Sequence, residues 1–133
     1  MLTGPNVILT LKIAVALVSV VLAFAVFAIA TGRKRLHGWL NTLFGVLTLT
    51  AVLGLEVIIR FIDPTLTDGF SPEAREALRI HLFFAVPSAL CIPAMWLLGW
   101  YGRKRMHLGL SVIFSLAWVG TIITGLIFLP HDF

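Results

Sequence analysis

Long apolar stretches alternate with short polar interruptions along this chain. Four of them, over residues 7–31, 36–61, 74–100 and 106–130, are long enough to cross a bilayer, which takes about 20 apolar residues in a helix. The pattern predicts helices rather than strands, because an open sheet edge finds no hydrogen-bond partner in lipid. Lys12 is the one charge inside the first stretch. It lies near the stretch's start, where its long stem lets the ammonium reach the interface.

The interruptions organise the four helices. Gly32, Arg33, Lys34 and Arg35 join the first two stretches, and Gly102, Arg103, Lys104 and Arg105 join the last two. Links this short make antiparallel hairpins. The connection between the hairpins, residues 62–73, is longer and carries Asp63, Asp68 and Glu73. Ser71 followed by Pro72 reads as a helix N-cap with proline in the first turn. Displacing the chain by 70 positions lays Gly32–His37 on Gly102–His107, Leu40 on Leu110 and Phe44 on Phe114. The expected fold is all-α: a four-transmembrane-helix bundle built from two repeated helical hairpins, one integral membrane domain over residues 1–133. The two hairpins are expected around an axis along the membrane normal.

Composition agrees with this reading. Of 133 residues, 59% are apolar and 12% charged, too apolar and too charge-poor for a soluble domain. The pI near 10.0 is no nucleic-acid signal, since six of the ten basic residues belong to the two inter-helix runs. Short loops rich in Lys and Arg stay inside. Both basic loops are therefore expected on the cytoplasmic side of a bacterial or archaeal inner membrane, with both termini and the acidic loop outside. The start of the chain lacks the basic n-region and cleavage site of a secretory leader, so the first helix is expected to be retained. Cys91 is the single cysteine and forms no internal disulfide.

The candidate chemistry lies in the histidines, because ionisable groups in or beside membrane spans are costly. His37 opens the second helix and His107 the fourth. At 100° per residue the His37 face continues through Asn41, Phe44, Thr48 and Leu55, and the His107 face through Ser111, Phe114, Trp118 and Gly125. Small and polar residues behind a histidine suit an interior face. Gly125 leaves room for a flat ligand or a close helix. Two neutral imidazoles facing each other across a four-helix bundle are what haem iron takes as axial ligands, and the basic loops beside them suit the propionates. A b-type haem on His37 and His107 is the leading cofactor expectation. The residues leave open that both histidines merely extend the basic runs at the interface. His81, placed near the outer surface by counting from Gly102, and His131 are candidates for a second site that would hold haem or a metal such as copper.

Other polar residues read as structural. Glu56 and Arg60 form an (i, i+4) pair away from the His37 face, and Arg75, Glu76 and Arg79 a solvated first turn. Trp39, Trp96, Trp100 and Tyr101 fit an aromatic belt. Pro87 and Pro93 are expected to kink the third helix.

The run His81 to Pro87, and that from His107 through Trp118 to Thr124 and Gly125, resemble the four-helix membrane family called domain of unknown function 420. His37, His81 and His107 fall on that family's histidines in order, over about residues 33–129. The resemblance implies haem or copper handling in a respiratory membrane, in assembly of haem–copper oxidases. Two departures stand out: the family has a further histidine where Ile59 and Arg60 stand here, and this chain is short for it. The two-histidine plan is also similar to membrane cytochromes of the b561 kind.

Three classes of function follow. The first is a haem-binding membrane protein for transmembrane electron transfer or respiratory oxidase assembly, a carrier or assembly protein more than an enzyme. The second is a cofactor-free accessory subunit packing beside a larger membrane complex, alone or as an oligomer. The third, a small transporter or channel, has only hydroxyls such as Thr48, Thr121 and Thr124 for a midplane site.

Overall fold

A computed structural model describes residues 3–129. Four helices follow one another: α1 (Gly4–Ala30), α2 (Lys34–Val57), α3 (Pro72–Trp100) and α4 (Lys104–Ile122). The second and fourth run on without a break into π-helical segments, Ile58–Ile62 and Ile123–Phe128. All four are long and apolar enough to cross a membrane. The chain is an integral membrane protein with an all-α bundle of two hairpins.

Local chemistry starts and ends each helix. Thr3 accepts from the Asn6 amide at 3.3 Å, with proline in the first turn. Ser71 accepts from the Ala74 amide at 3.1 Å ahead of α3, as the Ser71–Pro72 pair predicts. Both hairpin turns are built alike. Gly32 and Gly102 take φ of +78° and +70°, left-handed values that residues with a side chain rarely adopt. The following amides, of Arg33 and Arg103, then reach back to the carbonyls of Ala28 (2.8 Å) and Leu98 (2.9 Å). This is the helix-ending pattern in which a left-handed residue lets the next amide satisfy an orphan carbonyl. The repeat seen in the sequence is thus a repeat of backbone geometry.

The helices pack in a ring. α1 lies along α2 and α3 along α4; α2 touches α3, and α1 meets the π-segment that ends α4. Polarity is inverted relative to a soluble bundle. Phe27, Phe83, Leu90, Leu116 and Ile127 are all at least 64% exposed, whereas Thr48, Ser88, Thr121 and Thr124 are buried. Lipid rewards that arrangement, because polar side chains find partners only inside the bundle.

At the centre Phe44 of α2 meets Phe114 and Trp118 of α4 edge-on, with ring centroids 5.8 and 5.0 Å apart. Phe114 stacks on Trp118, and Val18 and Ile92 complete the cluster. A second cluster of Ile8, Phe70, Ala74 and Leu129 closes the end where the acidic loop lies. Trp96 belongs to the core rather than to an aromatic belt. Its indole fills the notch over Gly45, where any Cβ would collide with it and with Ile92. Phe84 fills the equivalent space over Gly120. Phe44, Thr48, Phe114 and Trp118, placed inside by the periodicity of the sequence, are all buried.

The notch gives a direct test. Gly45→Ala is expected to destabilise the bundle by about 1–3 kcal/mol through overpacking. Gly54→Ala, where a Cβ meets open space, is expected to be neutral or up to about 1 kcal/mol stabilising. Unfolding in mixed micelles measures both; equal effects would contradict the packing described.

Candidate functional site

The hairpin turns set the histidines at the basic end. Each glycine turn folds a helix back on its predecessor, so residues equidistant from the turn become neighbours. His37 thereby meets Ala25, and His107 meets Met95. The Nδ1 of His37 lies 2.8 Å from the Ala25 carbonyl oxygen. The Nδ1 of His107 lies 3.0 Å from that of Met95. Each carbonyl is 12 residues upstream of its histidine. A carbonyl only accepts, so Nδ1 carries a proton in both rings, and in the neutral imidazole the lone pair is then on Nε2. The carbonyl has a second lone pair to give after its own helix bond, so the contact leaves the ladder intact.

The two sites differ beyond that anchor. The Nε2 of His37 accepts from the Asn41 amide at 3.0 Å, one turn along α2. The residue equivalent to Asn41 is Ser111. Its hydroxyl donates to the His107 carbonyl at 2.7 Å and lies 3.6 Å from the Met95 sulfur. Both rings are half-buried. The expected inward faces meet seven residues farther along, at Phe44 and Phe114, about 10 Å from the histidines at 1.5 Å per residue. Each anchored nitrogen turns to its own hairpin rather than across the bundle axis.

The third described histidine sits toward the opposite end. His81 lies nine residues into α3, about 13 Å from that helix's start, half-buried inside the bundle and deeper than an outer-surface position. Its Nδ1 is 3.1 Å from the Thr124 hydroxyl, which itself donates to the Gly120 carbonyl at 2.7 Å. Thr124 therefore accepts, and Nδ1 of His81 is again the protonated nitrogen. The ring packs against Gly125, where a Cβ would stand 2.8 Å from its Cε1. The room that Gly125 leaves is taken by this side chain rather than by a flat ligand or a neighbouring helix. Ser88 and Thr121 continue the polar column, 3.3 Å apart. His131, the expected partner of His81, lies outside the described residues.

The π-segment Ile123–Phe128 organises this end, and periodicity gave no sign of it. It carries Thr124 and Gly125, and its Leu126 carbonyl accepts from the Lys12 ammonium at 3.4 Å. Lys12 thus ties α1 to the end of α4 instead of only reaching for the interface. Such π-turns inside helices are frequent at functional sites. The Glu56–Arg60 pair is present at 2.6 Å and exposed, as is Arg79–Glu76 at 3.3 Å. Among the described residues, no three His, Cys, Asp or Glu side chains cluster as a metal would need. Thr48 is the one buried hydroxyl among them without a partner.

No protein-family model, curated protein or solved structure matches the chain.

Thr124→Val removes the acceptor while keeping the shape. It is expected to cost about 1 kcal/mol, with most of that loss absent when His81 is already phenylalanine. A double-mutant cycle in mixed micelles reads the coupling; additive losses would contradict the bond.

Proposed function

We propose that this protein is a haem-binding integral membrane protein, with His37 and His107 as the axial ligands, serving electron transfer or assembly of a respiratory oxidase. One observation carries the reading. All three described histidines are held through Nδ1, two of them by backbone carbonyls at equivalent places in a repeat. Metal-binding histidines are commonly oriented in this way, with the second nitrogen tied down and Nε2 left as the ligand.

The donor set at the basic end supports the group: two imidazoles tied down through Nδ1, which leaves Nε2 as the ligand atom of the neutral ring, beside six cationic residues suited to propionates. The Asn41 amide must release His37 first. A bound haem would supply one-electron chemistry. The residues' own work is narrower. Ala25 and Met95 fix the tautomers and ring angles, Asn41 guards one lone pair, and Phe44, Phe114 and Trp118 close the axis beyond. The basic loops face the cytoplasm on this reading, following the positive-inside bias. Copper on His81 and His131 belongs to the same proposal at the other end.

A second reading is a cofactor-free accessory subunit. The filled aromatic axis and the Asn41 bond on His37 favour it, because both describe a bundle already satisfied by its own side chains.

The visible spectrum decides between them. Protein made with ample haem is expected to show a low-spin, six-coordinate b-type spectrum. His37→Ala and His107→Ala are each expected to lose it or turn it high-spin, and His81→Ala to retain it. Wild-type protein without haem absorbance contradicts the proposal and favours the accessory subunit.

A further inference from the structure

The basic runs do more than set orientation, and they are not equivalent on their lipid side. The described acidic residues, Glu56, Asp63, Asp68, Glu73 and Glu76, all lie toward the opposite end of the bundle. Neither of the two ion pairs among the described residues involves Arg33, Lys34, Arg35, Arg103, Lys104 or Arg105. These six side chains are exposed. At the first loop they have something more. Arg33, Lys34 and Arg35 border a shallow, open surface cleft whose remaining lining is Gly32, Leu36 and Trp39. Trp39 is 73% exposed and stands two residues past His37, about 200° around the helix. The cleft therefore opens away from the His37 face, toward lipid. The repeat puts Gly109 where Trp39 stands, so the second loop has the cations but no indole at that place; its exposed rings, Trp100 and Tyr101, come instead from the end of α3, on the other side of the turn.

We infer that the first loop holds the headgroup of an anionic phospholipid. Three cations without carboxylate partners take its phosphate, Leu36 and Trp39 carry the glycerol and upper acyl region, and the second loop lacks such a site. The match is one of charge and polarity together. Arg presents paired N–H groups to phosphate oxygens, basic residues beside a span attract anionic lipid, and an indole is at home at headgroup level. A soluble anion would match the cations alone and leave the apolar floor without purpose. The site needs no cofactor and its indole faces away from His37, but it shares Arg33, Lys34 and Arg35 with the haem reading, so it is tested on protein without haem.

Equal charge changes at the two loops separate a built site from general attraction. Protein without haem is purified from membranes containing phosphatidylglycerol and phosphatidylcholine of the same acyl chains, and retained lipid is counted by native mass spectrometry. Wild type is expected to keep phosphatidylglycerol in preference to phosphatidylcholine. Arg33→Gln with Arg35→Gln is expected to lower that retention at least tenfold; Arg103→Gln with Arg105→Gln, of identical net charge, is expected to lower it less than twofold. Trp39→Ala, which leaves the cations and the buried core in place, is expected to lower it several-fold and keeps the test valid if the first double variant does not fold. Excess inorganic phosphate is expected to displace none of it. Equal losses from the two double variants, no preference for the anionic lipid, an unaffected Trp39→Ala, or displacement by phosphate would each overturn the inference.

Discussion

The pairing of an imidazole N–H with a backbone carbonyl of the preceding helix governs the basic end of this protein. Within a bilayer a polar group has no water to fall back on, so a histidine on an inward face must find its partner inside the bundle. The carbonyls of Ala25 and Met95 supply one through their spare lone pairs. That contact exists only because the chain reverses sharply enough to bring residue 25 against 37 and residue 95 against 107. The reversal depends on the left-handed Gly32 and Gly102. Turn, helix register and histidine orientation are one unit, and the protein contains it twice.

The rest of the bundle departs from that symmetry in ways that bear on function. α3 carries the large rings that fill glycine notches: Trp96 over Gly45, Phe84 over Gly120, His81 over Gly125. The first hairpin has no counterpart of His81, since Leu11 holds the equivalent position. The π-segment after α4 gathers Thr124, Gly125 and the Leu126 carbonyl around His81 and Lys12. The basic end is therefore twofold and the acidic end is not, which separates a pair of carbonyl-anchored imidazoles at one end from a single anchored imidazole at the other.

Much of this was legible in the sequence. Apolar run lengths gave the four helices, the basic runs gave the turns, and 100° periodicity placed Phe44, Thr48, Phe114 and Trp118 inside. Each of these follows from local pattern. What periodicity missed depends on partners distant in the chain. Trp96 looked like a belt residue because nothing local reveals that Gly45 receives its ring. Gly125 reads in the sequence as room for a flat ligand or a close helix, whereas the space is taken by the side chain of His81, 44 positions earlier. The π-turn has no composition of its own, so the reach of Lys12 to Leu126 was invisible. The histidines were recognised from their offset, while the carbonyls that orient them carry no side-chain signature.

The most direct test of carbonyl anchoring is the tautomer of each ring. Nitrogen-15 spectra of histidine-labelled, haem-free protein in lipid bilayers at neutral pH, assigned with single His→Gln variants, distinguish protonated from bare ring nitrogens. His37 and His107 are both expected to show a protonated, hydrogen-bonded Nδ1 and an unprotonated Nε2. A protonated Nε2 with a bare Nδ1 in either ring would contradict the anchoring and leave no basis for treating Nε2 as the ligand atom.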